Sequence, residues 1–460
     1  MITSIFALCF AAAAQPILLD GEFTEWPATV SGAGSPSHVY LQMILPSPVN
    51  LQGLDNPMTL AIDWDNNKQT GNKVGALAGT DLEVLFSPGG RGGVKVRRSC
   101  DSGRKSWDTV KLVFSPTVAS DRFEFRFPRT LQLDDSAITA QEDMPWQLAW
   151  DEGGSVRGTA TVTSELPDVT PVPGPELIAS TKNSTRVMTW NLEKGNLIKQ
   201  REVVTRVFMA IRPDIVLVQE ILDGQTADDL EDVLEDAMPD TKWTAMLSPR
   251  SGNIKSAIAT RLRAKPIASF NKLKRRGESH GHVRAVGMTI TVPGVGNVLA
   301  VSAHLKCCGI AGGPEDLKRI GEVMAIRRAI KTAAESVNYK GLIIGGDLNL
   351  VGGLLPLQML IAQGEGLIAD TDTLGDLLVV EALQSDGQGV QTWQEDGQSY
   401  TPGRLDYLMV TESLLKPVNA FVLDTDDLTL QSLEKLGLQA DDTTHASDHL
   451  PVVVDLTPTK

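Results

Sequence analysis

GLIIGGDLNL, residues 341–350, is the stretch whose reading decides the fold. Leu342, Ile343 and Ile344 form an apolar run bounded by glycines, the right length for a buried strand and too short for a helix. The run closes on Asp347 and Asn349. A buried strand that ends in a carboxylate carries it to a sheet edge, where layered α/β proteins assemble their sites.

The same grammar recurs through the second half of the chain. It appears in MTWNLEKGN (188–196), RPDIVLVQEI (212–221) and VSAHLK (301–306), and again in GRLDYLMV (403–410) with HASDHLPVVVDL (445–456). Helical runs such as VVTRVFMAI and EDLKRIGEVMAIRRAIKTAAE alternate with these strands, a pattern that indicates layered α/β structure.

The polar residues at those strand ends should meet. Glu220 closes an apolar run, where a lone carboxylate is costly and requires a cation or a donor. Asp347, Asn349 and Asp448 add oxygen and amide groups, and Mg²⁺ is usually held by one or two carboxylates with water and substrate phosphate. His449, beside Asp448, has an imidazole that titrates near neutral pH and suits a general base. Asp406 is a candidate acceptor for its other ring N–H, and His304 supplies a second imidazole. Two histidines, several carboxylates and a divalent ion are equipment for phosphoester hydrolysis by a positioned water. Each short motif is common alone, but the ordered set of five is specific.

Together the five motifs resemble the endonuclease/exonuclease/phosphatase superfamily. That group includes pancreatic-type deoxyribonuclease, abasic-site endonucleases, bacterial sphingomyelinases and inositol polyphosphate phosphatases. The resemblance implies a four-layered α/β sandwich of two mixed sheets flanked by helices. It implies a Mg²⁺ (or Mn²⁺) site at Asn191, Glu220 and Asp448. It further implies that His304 acts at the phosphate, that Asp347 and Asn349 orient nucleophile and phosphate, and that Asp406 partners the general base His449. Arg284, in HVRAVG, falls where many members place a phosphate-contacting arginine; His280 and His282 beside it read as loop residues. There is one departure. The deoxyribonuclease branch backs the histidine matching His304 with a glutamate, but no acid lies between Asp240 and Glu278 here, so His304 has no nameable partner.

Ahead of this segment, LPDVTPVPGPELIASTKN (166–183) is Pro-rich and reads as an extended spacer. The expected order is a signal peptide at 1–14, a first domain at 16–165, the linker at 166–183 and the hydrolase-like domain at 184–460. In the first domain, HVYLQMIL, MTLAIDWD, DLEVLFS, TVKLVFS and RFEFRFP alternate with turn residues and predict an all-β sandwich. ILLDGEFTEW (17–26) and LAIDWDNNKQTGN with GTDLEVLF (within 60–86) resemble the family-nine-like carbohydrate-binding module, which implies a glycan as a partner. Trp26, Trp64, Trp107, Trp146 and Trp150 serve either an exposed sugar-stacking platform or core packing. Asp63, Asp65 and Asn67 alternate oxygen donors as a Ca²⁺ loop would. The EF-hand pattern is incomplete, and a capped Asx turn accounts for the same residues.

MITSIFALCFAAAA at the N-terminus is apolar and ends in small residues, so it predicts a signal peptide and a secreted or periplasmic protein. Elsewhere no run of about 18 apolar residues appears, so no membrane span is expected. Past the leader, Cys100, Cys307 and Cys308 are too few for a disulfide framework or a paired-CxxC zinc site. Cys307–Cys308 reads as a vicinal disulfide or as two packed thiols. The net charge of −15 argues against a protein that coats bulk nucleic acid. The charge is uneven, with +10 between residues 241 and 277 and −25 elsewhere. That basic segment is either a solvated face or a positive rim for a phosphate-bearing substrate. The sequence thus predicts a secreted, metal-dependent phosphoesterase, foremost a nuclease-like phosphodiesterase. The alternatives are a phosphatase or phospholipase C-type enzyme acting on lipid or sugar phosphates, and a glycan-binding protein with an inactive hydrolase scaffold.

Overall fold

The computed structural model describes residues 15–459 except 27–30, 53–57, 87–92, 97–103, 134–135, 151–153, 164, 250–251, 272, 277–282, 363–376, 397 and 399. The expected signal peptide, Cys100, His280 and His282 lie outside the described residues.

The second half folds as two mixed sheets face to face. One has seven strands in the order Thr244–Leu247, Ile254–Thr260, Ile215–Leu222, Thr185–Asn191, Val452–Pro458, Leu415–Val422 and Leu383–Gln384. The other has six, in the order Ala264–Pro266, Arg284–Val292, Gly296–His304, Gly341–Asp347, Asp406–Thr411 and Leu377–Val379. Successive side chains of a strand point to opposite faces, and these strands are apolar on both. Ile215 and Leu217 enter the core between the sheets with Met288, Ile343 and Val454. Val216 and Val218 face the other way, onto helices Arg201–Ile211 and Ala227–Ala237. Helices Pro314–Ser336 and Leu355–Ile361 cover the outer face of the second sheet through Val323, Ile326 and Leu360. The result is helix, sheet, sheet, helix: the expected four layers.

Local sequence explains the helices. In Arg201–Ile211, Val204, Val207, Phe208 and Ile211 recur at helical spacing and are buried. Ala227–Ala237 begins with a capping box in which Thr226 and Asp229 bond each other's backbone N–H. Pro314 occupies the first turn of its helix, where no N–H is needed.

The region before residue 166 is β-rich. A four-stranded antiparallel sheet runs Gly32–Gly34, His38–Val49, Ser120–Pro128, Val113–Ser115, and a six-stranded one is centred on Met58–Ile62 and Leu82–Phe86. Val39, Leu41, Phe123, Phe125 and Phe127 from the first share one core with Leu60, Ile62, Val84 and Leu148 from the second. Trp26, Trp64, Trp107 and Trp146 are buried, so four of the five tryptophans pack rather than display a sugar-stacking face. Trp150 packs partly buried against the same core.

The expected extended spacer contains a helical turn, Gly174–Ile178. It docks because Gly174 lies against Leu428 and Ser432, and Ile178 is buried. The carbonyls of Ile178, Ala179 and Ile211 accept from Arg186, whose guanidinium also forms two 2.8 Å bonds to the buried Asp455. Among the described residues no helix is long and apolar enough to cross a membrane.

Candidate active site

Strand register lines the site up. Arg284 pairs with His304, His304 with Asp347, and Asp347 with Asp406, so four strands of one sheet place four polar residues in a row. The facing sheet supplies Asn191 at the end of its strand and Glu220 from the next. Glu220 sits in a β-bulge, where pairing skips between Val218 and Ile221 and its own φ is +61°. A bulge redirects a side chain, and here the carboxylate reaches the row. The glycines of GLIIGGDLNL permit the approach. A Cβ on Gly345 would lie 2.7 Å from Leu217 Cδ1 of the facing sheet, and one on Gly346, at φ +144°, would overlap the Ala303 carbonyl.

Asp347 is the hub. Its Oδ2 accepts from Asn191 Nδ2 at 3.0 Å and Asn349 Nδ2 at 2.8 Å, and lies 3.4 Å from His304 Nε2 and 3.8 Å from His449 Nε2. Burial pushes its carboxyl up to about 7, against the opposing pull of His449. Glu220 Oε2 accepts the Lys194 N–H at 2.9 Å, and its Oε1 lies 3.5 Å from Asn191 Nδ2 and 3.8 Å from His304 Nε2.

His449 Nδ1 is 2.7 Å from Asp406 Oδ2, which leaves Nε2 toward Asp347 and, at 3.4 Å, Asn191. Burial disfavours the charged ring, but the Asp406 and Asp347 carboxylates outweigh it and hold His449 well above its ordinary range. His304 is the opposite case. Burial, then the Arg284 charge, holds it well below that range, so its imidazole is neutral. Its Nδ1 is buried and has no hydrogen-bond partner among the described residues. Arg284 donates from Nε to the His304 carbonyl at 3.3 Å and from Nη2 to that of Leu305 at 2.8 Å, and so braces the strand end behind the histidine.

Several contributors have no signal in the motifs. Thr392 Oγ1 donates to Asp406 Oδ2 at 2.7 Å. Trp393 Nε1 donates to Asp448 Oδ2 at 2.9 Å, and its backbone bridges to both His449 and Gly403. Trp190 Nε1 holds the His449 carbonyl at 2.9 Å. Ser447 Oγ accepts the His449 N–H and donates to the Asn191 carbonyl. Trp190 and Ser447 lie inside quoted motifs. The others arrive through tertiary contacts.

One group of carboxylates and imidazole at this site, among the described residues, is spaced to hold a divalent ion. Asp347, Asp406 and His449 offer ligand atoms within 4.8 Å of one another, and Asp406 Oδ1 is buried without a partner. A cation there competes with the Asp406–His449 bond. Glu220 and Asp448, expected from the sequence to hold the ion with Asn191, are not in that group; their oxygen donors suit Mg²⁺ or Mn²⁺. Asn191 donates to carboxylates through Nδ2 while its Oδ1 accepts the Glu193 N–H, so in this orientation it ties the carboxylates together.

The sequence profile of the Endonuclease/Exonuclease/phosphatase family matches residues 188–449, a span that begins in the Asn191 strand and ends on His449. The chain belongs to this family. Members of the endonuclease/exonuclease/phosphatase family are hydrolases acting on phosphate esters. No curated protein matches the chain. Similar solved structures include the human Nocturnin catalytic domain with bound sulfate, at 18% identity over 61% of this chain and 97% of that one, TM-score 0.40. ANGEL2, a 2',3'-cyclic phosphatase, aligns at 14% identity over 60% and 96%, TM-score 0.42. D. rerio TDP2 complexed with single strand DNA product aligns at 13% over 60% and 99%, TM-score 0.37. The family assignment rests on the profile match and not on these likenesses.

Beside the family's site lies a cavity of about 310 Å³ whose wall includes Glu193, Trp393, Glu395, Asp424 and Asp448. Its charge is negative. The basic segment, by contrast, is partly neutralised: Lys242 pairs with Glu235, Lys255 with Asp223 and Arg261 with Asp214. Cys307 and Cys308, just past His304, are free thiols with sulfurs 2.9 Å apart. In the N-terminal region, Asp63 and Asp65 come together with Asp81, and the Asn67 N–H donates to Asp63 Oδ1 at 3.0 Å. Asn67 forms the Asx turn: its N–H donates to Asp65 Oδ1 and its Oδ1 accepts from Gln69.

Proposed function

We propose that this chain is a secreted, metal-dependent phosphoesterase, foremost a phosphodiesterase of nuclease type, with His449 as general base. The observation that carries the proposal is the buried Asp406–His449 pair at 2.7 Å, whose second ring nitrogen faces the Asp347–Asn191 junction. With a bound cation offsetting the surrounding carboxylates, His449 would be neutral, and a water held there would lose its proton to Nε2 as its oxygen attacks phosphorus, with Asp406 stabilising the imidazolium that forms. The bond from phosphorus to the leaving oxygen breaks, and that oxygen takes the electron pair. Asn349, bonded to Asp347 and to the Leu305 carbonyl, fixes the hub. His304, neutral, is a hydrogen-bond donor for a phosphate oxygen through Nε2. A Mg²⁺ or Mn²⁺ ion held by Glu220 and Asp448, with Asn191 beside them, would offset the charge that builds on phosphate oxygens.

A second reading is a phosphatase or phospholipase C-type activity on lipid or sugar phosphates. The acidic cavity beside the site favours it, since carboxylates there repel a long polyanion and accommodate a small or cationic headgroup. Secretion rests on the sequence of residues 1–14 alone. The carbohydrate-binding reading of the β-rich region rests on its motifs, and Ca²⁺ at Asp63, Asp65 and Asp81 is proposed from their closely spaced carboxylates, of which Asp63 and Asp81 are buried and Asp65 half-buried.

The test is turnover of plasmid DNA, RNA, sphingomyelin, phosphoinositides and sugar phosphates by the purified chain, with Mg²⁺ or with EDTA. Mg²⁺-dependent cleavage of nucleic acid supports the first reading, and cleavage confined to the small or lipid phosphates supports the second. No metal-dependent turnover on any substrate defeats both and leaves a glycan-binding protein with an idle scaffold.

A further inference from the structure

The β-rich N-terminal region grips the two backbone segments that carry Asn349 and Asp406. Asn50 and Gln52 leave the end of strand His38–Val49 and are buried, at 9% and 1% exposure. Asn50 Nδ2 donates to the Val351 carbonyl at 2.9 Å, and the Ala119 N–H donates to that of Gly352 at 3.0 Å. These two carbonyls lie two and three residues past Asn349. Gln52 Nε2 donates to the Thr401 carbonyl at 3.1 Å, and Thr401 Oγ1 returns a bond to the Leu51 carbonyl at 2.9 Å. Thr117 Oγ1 accepts the N–H of Arg404, two residues before Asp406, at 3.1 Å.

The fit is steric as well as polar. A Cβ on Gly352 would overlap the Asn50 side chain, and one on Gly403 would overlap Gln52 Nε2. Both glycines are therefore hollows filled by the other region's amides. Gly403 in turn bonds Trp393, which holds Asp448 and bridges to His449. A tethered module would have no reason to bond the backbone of its neighbour's catalytic loops at buried positions.

We propose that Asn50 and Gln52 are positioning residues of the active site, and that the β-rich region is part of the frame that holds Asn349, Asp406 and His449 in register. The kinetic arm of its test rests on the phosphoesterase reading above.

The experiment uses the full chain carrying Gln52→Ala, Asn50→Ala, Gly403→Ala, and Gln52→Ala with Gly403→Ala. Gly403→Ala forces the loop and the Gln52 amide apart. It should lower kcat on bis(4-nitrophenyl) phosphate with Mg²⁺ by ~10-fold or more with little change in KM, since misplacement of about 1 Å is enough. In the Gln52→Ala background the hollow is empty, so adding Gly403→Ala should cost little more, and the two effects should be strongly non-additive. Amide hydrogen exchange over residues 349–352 and 401–406 should quicken in both Asn50→Ala and Gln52→Ala. Wild-type kcat in Gly403→Ala, losses that simply add, or unchanged exchange in those segments would overturn the proposal. If the wild type turns over no phosphoester, the functional reading fails and the exchange result alone decides the positioning role.

Discussion

Replacing Asp406 by asparagine should cut turnover far more than it weakens the fold. Asp406 Oδ2 accepts from His449 Nδ1 and from Thr392 Oγ1, each at 2.7 Å, while Oδ1 is buried with no partner. An asparagine carbonyl directed at His449 and Thr392 puts its NH₂ where the unpartnered oxygen now lies. The ring stays oriented, its tautomer is kept, and only the negative charge is lost. Two full charges 2.7 Å apart interact by about 6 kcal/mol at an effective dielectric constant of about 20. A neutral acceptor retains roughly half the strength of a charged one. The imidazolium formed during attack therefore loses about 2–4 kcal/mol, which is roughly 30- to 1000-fold in kcat. The assay is kcat at saturating bis(4-nitrophenyl) phosphate with Mg²⁺, read beside the thermal midpoint. The midpoint should fall only modestly, because both hydrogen bonds to Oδ2 are kept while buried His449 loses its charged partner. A kcat within about threefold of wild type would refute the argument that the Asp406 charge supports the general base. A fall in kcat accompanied by a collapse of the midpoint would show damage to the fold instead.

Other outcomes follow from the same geometry. Arg186→Ala should cost ~3–5 kcal/mol in urea denaturation, because it strands the fully buried Asp455, and a loss under about 1 kcal/mol would contradict that. Burial pushes Glu124 up to about 8 from 4.5 although Trp26 Nε1 and the Gly21 N–H both donate to it. The folded chain thus holds this proton more tightly than the unfolded one, so its contribution is complete below pH 4.5 and lost as pH rises to about 8. The stability of wild type relative to Glu124→Gln should accordingly fall over that interval by a few kcal/mol, and a flat difference would remove Glu124 as the cause. The Cys308 thiol donates to Cys307, and with help from Lys306 holds Cys307 near 5 while Cys308 is raised. Iodoacetamide at pH 6 should therefore label Cys307 well ahead of Cys308 in peptide mass spectra, and equal rates would argue against a thiolate at Cys307.

Strand-end grammar was readable because it is local. A run such as GLIIGGD is buried on both faces, and whichever sheet it joins, its last residue emerges at the edge. Asn191, His304 and Asp347 do close strands. Two positions differ from that grammar. Glu220 lies inside its strand and reaches the site through a bulge, and Asp406 opens an antiparallel strand beside Asp347. Neither feature changes which residue types are present, so the motif order survived both. The tryptophans of the first region illustrate the opposite problem. Composition allowed a sugar platform or a core, and only packing placed four of them inside.

By itself, then, the sequence determined the inventory: which carboxylates, amides and imidazoles exist, and that β-runs deliver them to strand ends. Tertiary structure decided the rest. It set the row Arg284–His304–Asp347–Asp406, the support of Asp406 by Thr392 and of Asp448 by Trp393, and the grip of Asn50 and Gln52 on the catalytic loops. The physical reason is range. A strand's alternation is written in neighbouring residues, but register and docking come from contacts between distant segments, such as Leu51 with Thr401, 350 positions apart. Their energy depends on both partners being folded, and no short motif encodes that.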